Sequence, residues 1–283
     1  MVISHSVYTA FRELEQSRWQ QIASEYEGAL GDFNQQAIEP LLDAVGAGPE
    51  MRLLDVATGP GFAAAAAWKR GASVTGIDFS PPMLAVARQR NPSIEFVEGD
   101  AEALPFRDGS FHALAMNFGM FHLARPDQAL EEGYRVLLPQ GRIAFTVYAP
   151  PEESMAICIA LGAVRVHGTM DVPLPEGPPF FRFSDPEECH RALQNIGFVN
   201  SRVVKVPQVW RLPSPDALFD LMLSSTVRVA ALLRAQTLDA LRAIRKAMRE
   251  AATAYLTNDG GIELPMPAML TSATKPVDAE EKP

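Results

Sequence analysis

The sequence predicts an α/β fold built on a mainly parallel sheet, and three observations carry that prediction. Short apolar runs alternate with helical stretches between residues 51 and 148 at the spacing of βαβ units. The first run opens into a loop of small residues, Ala57-Thr58-Gly59-Pro60-Gly61, before a helix begins. An aspartate stands at or just past the end of each of the first three runs: Asp55, Asp78 and Asp100.

The elements follow in order. Residues 8–30 are expected as a helix, because Phe11, Leu14, Trp19, Ile22 and Tyr26 recur at helical spacing. A second helix, from about 34 to 45, stops at Gly46-Ala47-Gly48-Pro49. Residues 51–56 form the first strand. The alanine-rich stretch 62–70 is a helix with Gly71 in the capping position. Residues 73–77 are the second strand, and Ser80 with Pro81 opens a helix to Arg90. Strands at 94–97, 111–116 and 143–148 complete this half, with a helix at 126–138 stopped by Pro139-Gln140-Gly141.

The second half is less regular. Residues 154–167 are helical, and their most apolar stretch is too short to span a bilayer. Residues 171–179 form a proline-rich loop. Ser184-Asp185-Pro186-Glu187 has the form of a capping box and opens a helix to Asn195, ended by Gly197. Residues 199–212 are expected as a strand with an extension. A helical stretch then runs from Ser214-Pro215 to Leu256, with a break near Gln236-Thr237 and an apolar stripe of Leu238, Leu241, Ile244, Met248, Ala252 and Tyr255. A turn at 258–261 precedes a last strand at 266–273, and the charged tail is expected to be disordered.

Composition narrows the function. Of 283 residues, 47% are hydrophobic and 21% charged, which fits a globular chain and excludes wholesale disorder. The net charge of −9 opposes a nucleic-acid scaffold, which needs a basic surface. Cys158 and Cys189 are too few for a disulfide framework or a cysteine-rich metal site, and fit a reducing compartment. The first residues lack the apolar stretch of a signal peptide, so a cytoplasmic protein without membrane association is expected, as monomer or homodimer.

The chemistry concentrates in the small-residue loop. A loop of this kind lets a ligand approach the backbone, and the helix after it offers unpaired N–H groups. Asp55 beside it suits a ligand with a positive charge. Gly59-Pro60-Gly61-Phe62-Ala63-Ala64 also fits the dinucleotide form G-x-G-x-x-A, with Asp78 19 residues after Gly59 as a ribose-binding acid. Two features separate the readings: nicotinamide loops usually follow an apolar strand without an acid such as Asp55, and a second acidic site, Glu98-Gly99-Asp100-Ala101, follows the third strand.

The segments LLDVATGPG, VTGIDFSPPML and FVEGDAEALPF, with the stretch from DGSFHALAMNFGMFHL to QALEEGYRVLLPQGRIAF, resemble the core of class I S-adenosylmethionine-dependent methyltransferases. The resemblance is closest to the type-11 group that includes the ubiquinone/menaquinone C-methyltransferases. It implies a Rossmann-like fold: a seven-stranded, mostly parallel sheet of order 3-2-1-4-5-7-6, its last strand antiparallel, with helical lid insertions. By the same resemblance Asp55, Ala57, Thr58, Gly59 and Gly61 form the loop at the methionine end of S-adenosylmethionine. Asp78 accepts from the ribose, Phe79 and Met83 flank the adenine, Asp100 and Ala101 take its edge, and Asn117 and Phe118 close the methionine end. Ala57 stands where many relatives have glycine, and His112 where an aspartate is frequent.

The implied activity is methyl transfer to a small, apolar or aromatic acceptor. His122 is the candidate base, and Trp19, Tyr26, Met120 and Phe121 are candidate acceptor walls. The implied organisation is an N-terminal helical lid (1–30), a cofactor-binding core (31–150), insertion helices with the sixth strand (151–212), a helical lid insert (213–258), the last strand (259–275) and a tail (276–283). Two rival readings remain open at this point: an NAD(P)-dependent oxidoreductase, and a non-catalytic S-adenosylmethionine-binding partner protein.

Overall fold

The computed structural model describes residues 5–23 and 29–277. Two helices, α1 (His5–Ile22) and α2 (Ala29–Asn34), precede α3 (Ile38–Val45). Then come β1 (Arg52–Val56), α4 (Phe62–Lys69), β2 (Ser73–Asp78), α5 (Pro81–Arg90), β3 (Glu95–Glu98), β4 (Phe111–Asn117), α6 (Pro126–Val136) and β5 (Leu137–Tyr148). The second half holds α7 (Met155–His167), α8 (Pro186–Ile196), β6 (Val199–Val206), β7 (Val209–Leu212), α9 (Ala217–Ser225), α10 (Arg228–Arg234), α11 (Leu238–Ala252), β8 (Ile262–Pro265) and β9 (Ala268–Thr274).

Seven strands form one sheet in the order β3-β2-β1-β4-β5-β9-β6. The first five strands pair in parallel, and β9 lies antiparallel between β5 and β6. This is the order and direction that the resemblance implied. The central strands are covered on both faces, so neighbouring positions are buried alike; in β1, Leu53, Leu54, Asp55 and Val56 are all buried. Local caps fix the helices between them: the Ser80 hydroxyl accepts from the Met83 N–H at the start of α5.

Several boundaries differ from expectation. The 8–30 helix is α1, which ends at Ile22, followed by α2 from Ala29; Tyr26 lies outside the described residues. The expected 34–45 helix begins as a short 3-10 turn before α3. The α6 helix ends at Val136, and β5 starts at once, six residues before the expected Ile143. It is Asp185, accepting from the Glu187 N–H, that caps α8, while the Ser184 hydroxyl donates to the Phe181 carbonyl.

The expected 199–212 strand is two strands. Pro207 has no N–H to give a ladder, and the chain leaves the main sheet there. β7 then pairs antiparallel with β8, Trp210 opposite Leu264. The segment 259–275 is likewise two strands, parted at Pro265-Met266-Pro267, and only β9 joins the main sheet. The 213–258 stretch is three helices. Besides the break near Gln236, Thr226 interrupts it: its hydroxyl donates to the Met222 carbonyl at 2.6 Å and accepts from the Ala230 N–H at 3.1 Å, closing α9 and opening α10. Leu238 is 76% exposed, so the buried stripe of α11 is Ile244, Met248 and Ala252. Residues 278–283, within the tail expected to be disordered, lie outside the described residues.

These insertions build a second hydrophobic core beside the one that clasps the sheet. Phe33, Ile157, Trp210, Met222, Leu233, Met248 and Leu264 meet in it, drawn from α2, α7, β7, α9, α10, α11 and β8. Among the described residues no helix is long and apolar enough to cross a membrane.

Candidate active site

The C-terminal ends of β1, β2, β3 and β4 surround a cavity, as expected for ligand sites on parallel sheets. Its floor is the loop after β1. Asp55 is the last residue but one of that strand, with 1% of its surface exposed. Its Oδ2 accepts from the Thr58 hydroxyl at 2.6 Å and from the Ala64 N–H at 2.9 Å, tying the loop to the first turn of α4. Burial pushes its carboxyl up to about 7, against the two hydrogen bonds that lower it, and Asp78 adds repulsion. Ala57 and Gly59 adopt left-handed backbone conformations, φ 53° and 52°. A Cβ added at Gly59 would meet nothing within 4 Å, so the loop's backbone faces open space.

Asp78 ends β2 and locks the loop from the other side. Its Oδ2 accepts from the Gly59 N–H at 2.8 Å and its Oδ1 from the Ser80 N–H at 2.9 Å. Burial dominates again and pushes its carboxyl up to about 6. Asp100, after β3, accepts from the Glu102 N–H at 2.8 Å and pairs with Arg12 of α1. Asn117 and Phe118 leave β4 together. The Thr146 hydroxyl donates to Asn117 Oδ1 at 2.7 Å and accepts from the Phe118 N–H at 2.9 Å, which holds Phe118 at φ 55°.

Ala57, Gly59, Asp78, Phe79, Met83, Asp100, Ala101, Asn117 and Phe118 line this cavity. Asp55, Thr58 and Gly61 do not: Asp55 braces the loop from β1, and Thr58 and Gly61 belong to the loop and shape it. Gly61 is required by packing, since a Cβ there would come within 2.9 Å of the Phe96 ring.

A second cavity adjoins the first and is walled by aromatic rings. Phe33, Phe121, Tyr148, Phe180 and Trp210 line it with Arg228 and Met222. The rings pack in series: Phe33 on Trp210 at 5.7 Å, Phe121 on Tyr148 at 5.3 Å and Phe121 on Phe180 at 4.5 Å between centroids. Trp19, Phe118 and His122 border both cavities and mark where they meet. Trp19 and Phe121 therefore stand where an acceptor wall was expected. Met120 does not: it is 1% exposed in the core around the sheet and lines neither cavity. His122 sits at the end of a 3-10 turn, with its Nδ1 2.8 Å from Glu15 Oε2.

Sequence reasoning missed Glu15 and Glu102, both buried acids. Glu102 accepts from the Ala124 and Arg125 N–H groups at 2.8 and 2.9 Å and pairs with Arg125 and Arg12. Glu15 shares the inward face of α1 with Phe11 and Ile22, but its partners His122 and Arg228 are too remote in sequence to mark it.

Residues 54–145 match the family described as a methyltransferase domain. Over that stretch the chain is similar to methyltransferase domains of the type-11 family. The chain is similar to the demethylmenaquinone methyltransferase of Renibacterium salmoninarum, 42% identical over 111 residues, covering 39% of this chain and 47% of that one. The demethylmenaquinone methyltransferase of Thermus thermophilus is 47% identical over 106 residues, covering 35% and 48%. The chain thus spans about half the length of the curated relatives it matches. Among solved structures, the YcgJ protein of Bacillus subtilis aligns with TM-score 0.55 at 20% identity over 85% of this chain and 98% of that one. Haemonchus contortus phosphoethanolamine N-methyltransferase 2, in complex with S-adenosyl-L-methionine, aligns with TM-score 0.56 at 20% identity over 97% and 60%. The matched stretch holds the loop after β1, Asp78 and strands β2, β3 and β4; β6 and β9 of the sheet come from later in the chain. The aromatic cavity lies partly outside it, because Phe180, Trp210 and Arg228 come from later in the chain.

Proposed function

We propose that the chain transfers the methyl group of S-adenosylmethionine to a small aromatic, quinone-like acceptor. The observation that carries this reading is the pair of joined cavities: one beneath the strand ends, polar and acidic at its rim, and one walled by rings. The first fits the cofactor by its chemistry. Gly59 leaves room for close approach, Asp78 offers carboxylate oxygens to ribose hydroxyls, and Met83 with Phe79 offers apolar faces to a purine. Asp55 braces the loop from below. The second cavity fits a planar, uncharged acceptor, since rings stack on rings and the walls carry few charges. The curated relatives named as demethylmenaquinone methyltransferases support a quinone-like acceptor within that class.

When bound, S-adenosylmethionine supplies a methyl group already activated for displacement from its sulfonium. What remains for the protein is to aim the nucleophile along the methyl–sulfur axis and to exclude water. Trp19 and Phe118 stand at the junction where that alignment must occur, and the walls from α1, α2 and the insertions screen it from solvent.

The test is direct. Purified protein is incubated with methyl-deuterated S-adenosylmethionine and naphthohydroquinone, and the products are separated by mass spectrometry. A deuteromethylated naphthohydroquinone together with S-adenosylhomocysteine is expected. Tight S-adenosylhomocysteine binding with no methyl transfer to naphthohydroquinone would overturn the acceptor class, and tight NADH binding without S-adenosylhomocysteine binding would overturn the whole reading.

A further inference from the structure

Glu15 is the buried charge of α1. It is 1% exposed, four residues after Phe11 and seven before Ile22, and so faces inward with both. A buried carboxylate needs partners, and Glu15 has two from distant parts of the chain. Its Oε1 lies 3.3 Å from Arg228 Nε on α10, and its Oε2 lies 2.8 Å from His122 Nδ1 after β4. Arg228 is itself fixed: it donates to the Pro178 carbonyl at 2.8 Å and the Phe121 carbonyl at 2.6 Å, with its guanidinium over the Phe11 ring at 4.5 Å. Three segments that wall the site therefore converge on one carboxylate.

An ion pair with Arg228 alone would satisfy an anchoring role. The bond to His122 does something more. A carboxylate accepts only, so the neutral imidazole must carry its proton on Nδ1 to donate to it. That leaves the Nε2 lone pair free, on a ring that borders both cavities. No hydrogen bond to Nε2 occurs among the described residues.

We propose that Glu15 is the positioning residue of a Glu15–His122 pair in which His122 is the general base, and that the acceptor is one that must lose a hydroxyl proton, of the phenol or hydroquinone class. This rests on the methyl-transfer reading above. The Nε2 lone pair takes the hydroxyl proton. The electron pair left on that oxygen forms the bond to the methyl carbon, directly or through the ring carbon beside it, while the methyl–sulfur bond breaks and its pair stays on sulfur; where the ring carbon attacks, its C–H proton leaves to solvent as the ring regains aromaticity. The imidazolium so formed is neutralised by Glu15, which already faces its Nδ1–H, and returns its proton to solvent as product leaves.

Two measurements test this. The first needs no substrate: nitrogen NMR of the imidazole side chains in uniformly labelled protein, with His122 assigned by the signal lost in His122→Gln. Once the ring has been titrated to its neutral form, the Nδ1-protonated tautomer is expected; the Nε2-protonated tautomer would overturn the pairing. The second compares Glu15→Gln with wild type on naphthohydroquinone. A kcat lower by roughly 100-fold is expected, with S-adenosylhomocysteine affinity and KM for S-adenosylmethionine within about twofold, and partial recovery in Glu15→Asp. An unchanged kcat in Glu15→Gln, or a loss of cofactor affinity equal to the loss of kcat, would overturn the positioning role. Should Glu15→Gln not fold, the tautomer of the wild-type protein decides by itself. If wild type transfers no methyl to naphthohydroquinone, it is the quinone-like acceptor that fails, and the tautomer still reports on the pair.

Discussion

Replacing Asp78 with alanine probes the site at its centre, and the structure separates two effects that usually travel together. The Asp78 carboxylate is 7% exposed and accepts from the Gly59 and Ser80 N–H groups. Hydrogen bonds to a charged group contribute about 1.5–3 kcal/mol each. Burial opposes them and wins, since the carboxyl is pushed from 3.8 up to about 6. That shift of about two pH units amounts to ~3 kcal/mol disfavouring the charged form in the folded chain. The sign follows: the folded protein holds this proton more tightly than the unfolded one, so the stability it confers is present below pH 4 and is lost as pH rises through about 6. At pH 8 the alanine variant loses two acceptors but is relieved of a disfavoured charge, so its stability should lie within about 1 kcal/mol of wild type. Between pH 4 and pH 7 the difference should swing toward the variant by as much as ~3 kcal/mol in urea unfolding. Cofactor affinity has no such compensation. A ligand that donates hydroxyls to Asp78 loses about 1–3 kcal/mol, or roughly 5- to 150-fold in Kd for S-adenosylhomocysteine by calorimetry. An affinity within twofold of wild type, with the fold intact, would refute the placement of the ribose on Asp78.

Asp55→Asn should stabilise the free protein at pH 8 and do little at pH 4: burial pushes the Asp55 carboxyl up to about 7, and an asparagine oxygen can still accept from Thr58 and Ala64 without the charge. The gain, up to about 4 kcal/mol, is read from urea midpoints at the two pH values, and a midpoint that falls at pH 8 would show that the ionised form is the one the loop needs. Phe180→Ala removes a half-buried ring from the aromatic cavity without touching the first one, so KM for naphthohydroquinone should rise about tenfold while S-adenosylhomocysteine affinity stays put; an unchanged KM would place the acceptor elsewhere.

What could be read from the sequence, and what could not, divides along the distance between interacting residues. The first five strands and the loop after β1 were legible because their signals are local: an apolar run, a turn, a cap and an acid within ten residues of one another. The identity of Asp55 was legible in the same way, but its direction was not. Nothing in a sequence says whether an acid at a strand end faces a ligand or the backbone beneath, and here Thr58 and Ala64, three and nine residues on, hold its Oδ2 below the loop. Pro207 and Pro267 carried enough information to split β6 from β7 and β8 from β9, since neither can donate to a ladder. The second core was beyond reach because Phe33, Trp210, Met248 and Leu264 have no local relation. Glu15 was lost for a physical reason of its own. An acid on an amphipathic helix is ordinarily its solvent face, and this one is turned inward only because a histidine 107 residues later and an arginine 213 residues later meet it there. A helix that buries a charge against partners so remote gains little by itself from that choice; the gain goes to the segments it joins, which are the same segments that enclose the aromatic cavity.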